Sequence, residues 1–295
     1  MFTTLVAVIA ALVLGHLAPS LMTALRDWRW YERWLAWLQA HAGQSASSRY
    51  GLALAIAPCV LLVASLQWLL DERLYGLPSL LFGVAVLALC WGPRDLDRDV
   101  EAVIDADDAG SRDVAIANMQ SAGGSMRQDA PSLVEATVVD ALRRWFAPLF
   151  WFLLLGPLGA VLYRLLALAV QGPAATQVAA ASREGGSQVL ALLEWPVAQL
   201  MTLTMALVGN FDTVFTTWRQ SGGNRWALEL GFLGRAARAS VGVDLVEEAD
   251  EARLEGLEPV DERYPELRDA MSLVWRMLLL WMALLALLVI AGWVG

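Results

Sequence analysis

Apolar residues in this chain gather into blocks of roughly 17–25, separated by stretches rich in arginine and acid, the pattern of membrane-spanning helices. The blocks predict spans at Phe2–Leu25, Gly51–Leu70, Gly76–Trp91, Trp145–Val170 and Val274–Val294. The first has no charged leader and no small-residue cleavage signature, and it exceeds the apolar core of a signal peptide, so a retained span is expected. Asp71–Tyr75 is short enough to join the second and third spans as a tight helical hairpin. Trp68, Trp91, Trp145, Trp275 and Trp293 stand at block ends, where an indole ring rests at the headgroup level.

A further block, Ser187–Phe211, carries Glu194, Pro196, Gln199 and Asn210, and its pattern fits a crossing, an interfacial or a re-entrant segment. Arginine placement bears on the choice. If the block crosses, residues 26–50, 93–144 and 212–272 share one side with seventeen arginines, and only Arg73 and Arg183 lie opposite. The positive-inside rule then favours a crossing or deeply inserted segment, with the arginine-rich side cytoplasmic and both termini outside. The expected fold is all-α: a polytopic membrane helix bundle of five or six membrane-inserted helices. It forms one domain over 1–295, with cytoplasmic helical insertions at 93–144 and 212–272 and an interfacial helix at 26–39.

Composition narrows the function. With 58% hydrophobic and 17% charged residues and a mean hydropathy of +0.52, the chain is neither a soluble enzyme, a secreted disulfide scaffold nor a disordered protein. All 21 basic residues are arginine. The lack of lysine removes a Walker-type P-loop, a Schiff base and a lysine general base. Two histidines, His16 and His41, argue against a His-built zinc site. Cys59 and Cys90 lie inside apolar blocks and suit small buried hydrophobes. A net charge of −9 argues against nucleic acid as a partner.

Two polar segments carry candidate chemistry. In Arg26–Gln39, a helical period places Trp30, Trp34 and Trp37 on one side beside Arg26, Arg29 and Arg33. That face suits a lipid or pyrophosphate ligand, and equally a plain interfacial anchor. Pro93–Ala109 reads as a helix with Asp97, Glu101, Asp105 and Asp108 on one face and Arg94 and Arg98 able to pair along it. Asp97 and Glu101 are the weak candidates for magnesium, which takes one or two carboxylates with waters and phosphates; a solvated acidic face is the commoner outcome of such spacing. In 212–272, Gly222-Gly223-Asn224 reads as a turn, and the helices around it are expected to pack on the 93–144 segment.

The most distinctive string is Glu135–Arg164, EATVVDALRRWFAPLFWFLLLGPLGAVLYR, a charged helix set against a span that contains Gly156-Pro157-Leu158-Gly159. Glycine and proline interrupt the helical ladder there, and Arg164 falls within the apolar block, where a charge is a functional candidate. This string resembles the CobD/CbiB superfamily, and the order of spans over the full length resembles its AmpE family. The likeness rests on APLFW followed by GP and Tyr163-Arg164, on Gly92-Pro93-Arg94-Asp95, and on Trp195-Pro196 leading to Gly209-Asn210-Phe211-Asp212.

The resemblance implies a location in the bacterial inner membrane and a link with β-lactamase induction, peptidoglycan recycling and the amidase AmpD. The enzyme branch of the superfamily carries a Glu-x-x-Ala-Glu-Asn-type run ahead of its APLF segment. Here Glu135 matches its first acid, but Val139 and Asp140 occupy the later positions. Arg143 and Arg144 replace the branch's acid and glycine, and Ala167 and Val170 replace its downstream Asn and Asp. An amide ligation driven by Mg·ATP needs carboxylates to hold the metal, so cobinamide-phosphate synthesis is not expected. An amide-forming ligase acting on another substrate stays open as an alternative. Glu135, Asp140, Arg143, Arg144, Tyr163 and Arg164 are the candidate ligand-binding residues, chemically suited to a muropeptide or a polyprenyl phosphate. The arginines would equally serve to set topology. No resident cofactor is expected outside the ligase reading.

Overall fold

The computed structural model describes residues 6–11, 26–47, 50–70, 77–92, 95–119, 129–225, 228–254 and 264–291. Every regular element among them is helical. In chain order they are α1 (Arg29–Ser47), α2 (Gly51–Leu70), α3 (Leu77–Cys90), α4 (Leu96–Ile104), α5 (Ala109–Met119) and α6 (Ala130–Ala141). After them come α7 (Ala147–Leu155), α8 (Pro157–Gln171), α9 (Ala180–Val208), α10 (Phe211–Gln220), α11 (Gly231–Leu254) and α12 (Pro265–Ile290). A π-helical turn, Leu142–Phe146, leads into α7, and a 3₁₀ turn, Pro173–Gln177, follows α8.

Three of these helices, α2, α9 and α12, are long and apolar enough to cross a bilayer. The chain is therefore a polytopic membrane protein whose apolar helices meet lipid. The sequence pattern predicts five or six spans, and the count of three is a correction for the described residues. Its main cause lies in the Trp145–Val170 block, which is two short helices rather than one span. Gly156 adopts φ +70°, a region open to glycine, and so ends α7. Pro157 then starts α8 at the position where its missing N–H costs nothing. The Gly76–Trp91 block yields only the 14 residues of α3. Of Phe2–Leu25, residues 6–11 are helical and the remainder lies outside the described residues, as does Asp71–Tyr75. Ser187–Phe211 falls almost wholly within the 29-residue α9, which continues through Pro196.

The chain forms two compact units. The first comprises Met1–Arg94, Arg143–Leu193 and Leu285–Gly295. At its centre is α8, buried at nearly every position from Gly159 to Ala169 and packed on α2, α3 and α7. By contrast α2 is covered on one narrow stripe, Leu52, Ala55 and Ile56, and leaves Leu61, Leu62 and Leu69 exposed. On a span, such an uncovered apolar surface is the one that faces lipid. Helix α1 packs on α2 and on the 3₁₀ turn. Its inward residues are Trp28 (in the turn before it), Tyr31, Leu35 and Leu38, spaced as one helical face.

The second unit comprises Asp95–Leu142 and Glu194–Leu284. In it α11 packs on both α6 and α10, and α4 packs on α5 and α6. Asn210 caps α10 by accepting from the Thr213 backbone N–H at 3.0 Å. The acidic helix expected over Pro93–Ala109 is interrupted here, which is a second correction. α4 stops at Ile104, and Asp108 leaves the shared face to cap α5, accepting from the Ser111 N–H at 2.6 Å. Aspartate competes for backbone donors in this way, so a run of Asp105, Asp107 and Asp108 ends a helix more readily than it extends one.

Candidate ligand-binding site

Arg164 lies on the buried face of α8 with 5% of its surface exposed. Its Nε donates to the Cys90 carbonyl at 2.7 Å, and Nη2 donates to the same oxygen. That oxygen belongs to the last turn of α3, where carbonyls have no helical partner and the helix end carries partial negative charge. Arg26 serves the same turn, its Nε donating to the Ala88 carbonyl at 3.1 Å. No basic residue stands in the last turn of α3 itself, so the capping cations come from elsewhere in the chain.

The arginine pair on the π-helical turn is explained by the proline that follows. Pro148 has no N–H to offer the carbonyl four residues back, which is that of Arg144. The Arg144 carbonyl instead accepts from the Gly92 N–H at 3.0 Å. Cys90 and Gly92 are thus held from two sides, by the Arg164 side chain and by the Arg144 backbone. Arg144 is buried, Arg143 half-buried and Tyr163 fully buried, all within the first unit.

Glu135 and Asp140 belong to α6 of the second unit. Asp140 is buried. Glu135 is partly exposed and forms an ion pair with Arg238 of α11, Nη1 to Oε1 at 3.2 Å. Beside it, Gly234 lets α11 approach so closely that an added Cβ would lie 3.0 Å from the Glu135 Cβ. The acidic candidates Asp97 and Glu101 are separated in role: Asp97 accepts from the Trp275 indole at 3.0 Å, while Glu101 is exposed. Among the described residues no group of three metal-binding side chains converges.

Three of the interfacial candidates, Trp30, Arg33 and Trp34, line a space in the first unit. A cavity of about 790 Å³ runs between α1, α2, α3 and α8. Trp28, Trp30, Arg33 and Trp34 line it from α1 and the turn before it, and Leu62, Val63, Leu66 and Phe82 line it from α2 and α3. Trp34 is fixed by donation from its indole to the Ala55 carbonyl at 3.0 Å and stacks on Trp37, with ring centroids 5.3 Å apart. Trp30 and Trp37 are exposed together with Arg29 and Arg33. Arg29 is paired with Asp27 at 2.7 Å, and its hydrogen bonds hold the Asp27 carboxyl below the usual carboxylate range.

Three contributors stand outside the candidate set that the residue pattern picks out. Gln67 of α2 spans the α7–α8 break, accepting from the Leu158 N–H at 3.1 Å and donating to the Leu155 carbonyl at 3.5 Å. Arg238 holds Glu135. Gln199 links the Trp218 indole and the Gly223 carbonyl, each at 2.9 Å. An amide inside an apolar block is the available signal for Gln67 and Gln199. Arg238 has none beyond its charge.

A family model described as regulatory signalling modulator protein AmpE matches residues 8–294. No curated protein and no solved structure matches the chain. Because the match runs through both compact units and every described helix from α1 to α12, the chain belongs to the AmpE family, related to the CobD/CbiB superfamily.

Proposed function

We propose that this chain is an inner-membrane regulatory or accessory protein of peptidoglycan recycling and β-lactamase induction, with its arginine-rich segments on the cytoplasmic side. The observation that carries this reading is the family match over residues 8–294. The chemistry of the candidate residues supports it. Arg164 is committed to the Cys90 carbonyl and Glu135 to Arg238, arrangements that fix helices in place. Arg143 and Arg144, on the turn that leads into α7, supply cationic character suited to the phosphate of a polyprenyl phosphate or the carboxylates of a muropeptide. The amidase AmpD is the functional partner this reading names.

The test has a cellular arm and a purified one. Deleting the gene in its own host should alter the ratio of β-lactamase made with and without a β-lactam inducer, and restoring the wild-type gene should restore the ratio. An unchanged ratio overturns the proposal. In detergent, thermal shifts against anhydromuropeptides, undecaprenyl phosphate and Mg·ATP report binding by mass action. A muropeptide or polyprenyl phosphate shift supports the regulatory reading. A Mg·ATP shift lost in Glu135→Gln replaces it with an amide-forming ligase.

A further inference from the structure

We propose that the cavity beneath α1 is a site for one anionic glycerophospholipid, with an acyl chain inside it and the phosphate at Arg33. The lining is apolar along its length, and among the described residues Arg33 is the single charged one on it. A space of this kind does not hold water well, because a buried water needs two to four polar partners. Hydrocarbon meets no such cost.

Depth sets the length of the occupant. Trp34 is bonded at the level of Ala55, and the lining on α2 continues to Leu66. The eleven residue steps from Ala55 to Leu66 rise about 16 Å, close to one leaflet of a hydrocarbon core that is roughly 30 Å across. An acyl chain of the bilayer spans that depth, whereas a polyprenyl chain much exceeds it. Since α2 is a membrane span with little of its apolar window covered by protein, the cavity lies where lipid chains are the surrounding medium.

Charge sets the headgroup. Arg26 donates to Ala88 and Arg29 pairs with Asp27. Arg33 donates its Nε to the Arg29 carbonyl at 3.3 Å, and among the described residues its terminal nitrogens make no hydrogen bond. The local sequence holds three arginines, Arg26, Arg29 and Arg33, against two acids, Asp27 and Glu32. One cation is thus in excess, beside the exposed Trp30, whose ring suits the headgroup level.

The experiment uses the full chain in phosphatidylcholine vesicles doped with phosphatidylglycerol that carries a diazirine at the end of one acyl chain. Photolysis should label Val63 or Phe82, which line the cavity and are half-buried. Arg33→Gln should cut the yield about tenfold, the loss expected for one charge-assisted hydrogen bond. Val63→Trp should block labelling by filling the space. An unchanged melting temperature confirms that each variant is folded. Equal labelling from a phosphatidylcholine probe overturns the proposal, as does labelling confined to the outward Leu61 and Leu69 or no labelling of folded protein. Displacement by equimolar undecaprenyl phosphate overturns the choice of occupant.

Discussion

The guanidinium of Arg164 holds the carbonyl of Cys90, 74 residues earlier in the chain, and so closes the end of α3 with a charge from α8. Replacing it with leucine strips the Cys90 carbonyl of the guanidinium donors in a buried setting. Arg164→Leu should lower stability by about 2–3 kcal/mol, the range for hydrogen bonds to charged groups. Arg164→Lys should recover part of the loss, since an ammonium keeps the charge without the planar fork. Denaturant unfolding in detergent measures both, and a leucine variant as stable as wild type would dismiss the cap.

Gln67 and Gly156 form a second coupled pair. Gln67→Leu leaves the Leu158 N–H and Leu155 carbonyl without their side-chain partner, which should cost about 1–3 kcal/mol. Gly156→Ala forces a side chain onto φ +70° and places its Cβ 2.8 Å from the Gln67 Nε2. That strain should cost about 1–3 kcal/mol on its own. In the double variant the clash is relieved, so the two losses should sum to less than their separate values. A double-mutant cycle on unfolding free energies reads the difference, and strict additivity would contradict the contact.

Glu135→Gln should be mild. The Arg238 pair is partly exposed, and such pairs contribute less than about 1 kcal/mol. Gly234→Ala should be worse, about 1–3 kcal/mol, because α11 must move away from α6 to admit a methyl group. The order of the two melting temperatures is the check.

Asp108 makes the link between α4 and α5 sensitive to acid. Hydrogen bonds from Ser111, backbone first, hold its carboxyl below the usual range. A depressed folded-state value means that its contribution is present above the unfolded value of about 3.9 and fades as pH falls below it toward the folded value. Asp108→Ala should remove that dependence and lower amide protection at Ser111 and Arg112 near neutral pH, the difference from wild type closing as acid protonates the carboxyl. Wild-type protection factors at these amides, taken relative to the unstructured rate at each pH, that stay flat from neutral pH to below about 3.9 would refute the assignment.

Much of this architecture is legible in residue patterns, and the failures have physical causes. Helix α2 occupies Gly51–Leu70 as the pattern predicts, because an uninterrupted apolar run bounded by polar residues has one helical reading. The Gly-Pro interruption is visible too, but its power to divide a span is not, since that depends on Gln67 satisfying the groups it frees. The acidic face fails because i, i+4 spacing describes a helix only while the aspartates do not cap one. Arg164 stands out as a charge in an apolar block. That its partner is a backbone carbonyl of α3 depends on tertiary proximity, which no local periodicity encodes.

Neither compact unit is contiguous in the chain: the first begins at Met1, resumes at Arg143, and takes its last piece from Leu285 onward. During synthesis, then, the first unit lacks its last piece until the chain has passed Leu285, and the second is made inside that interval. No single stretch of the gene encodes either unit, so a truncation aimed at a soluble portion would separate helices that need each other. Premature termination should leave α2 and α3 inserted without α8 to cover them, a species for membrane quality-control proteases rather than a partial function.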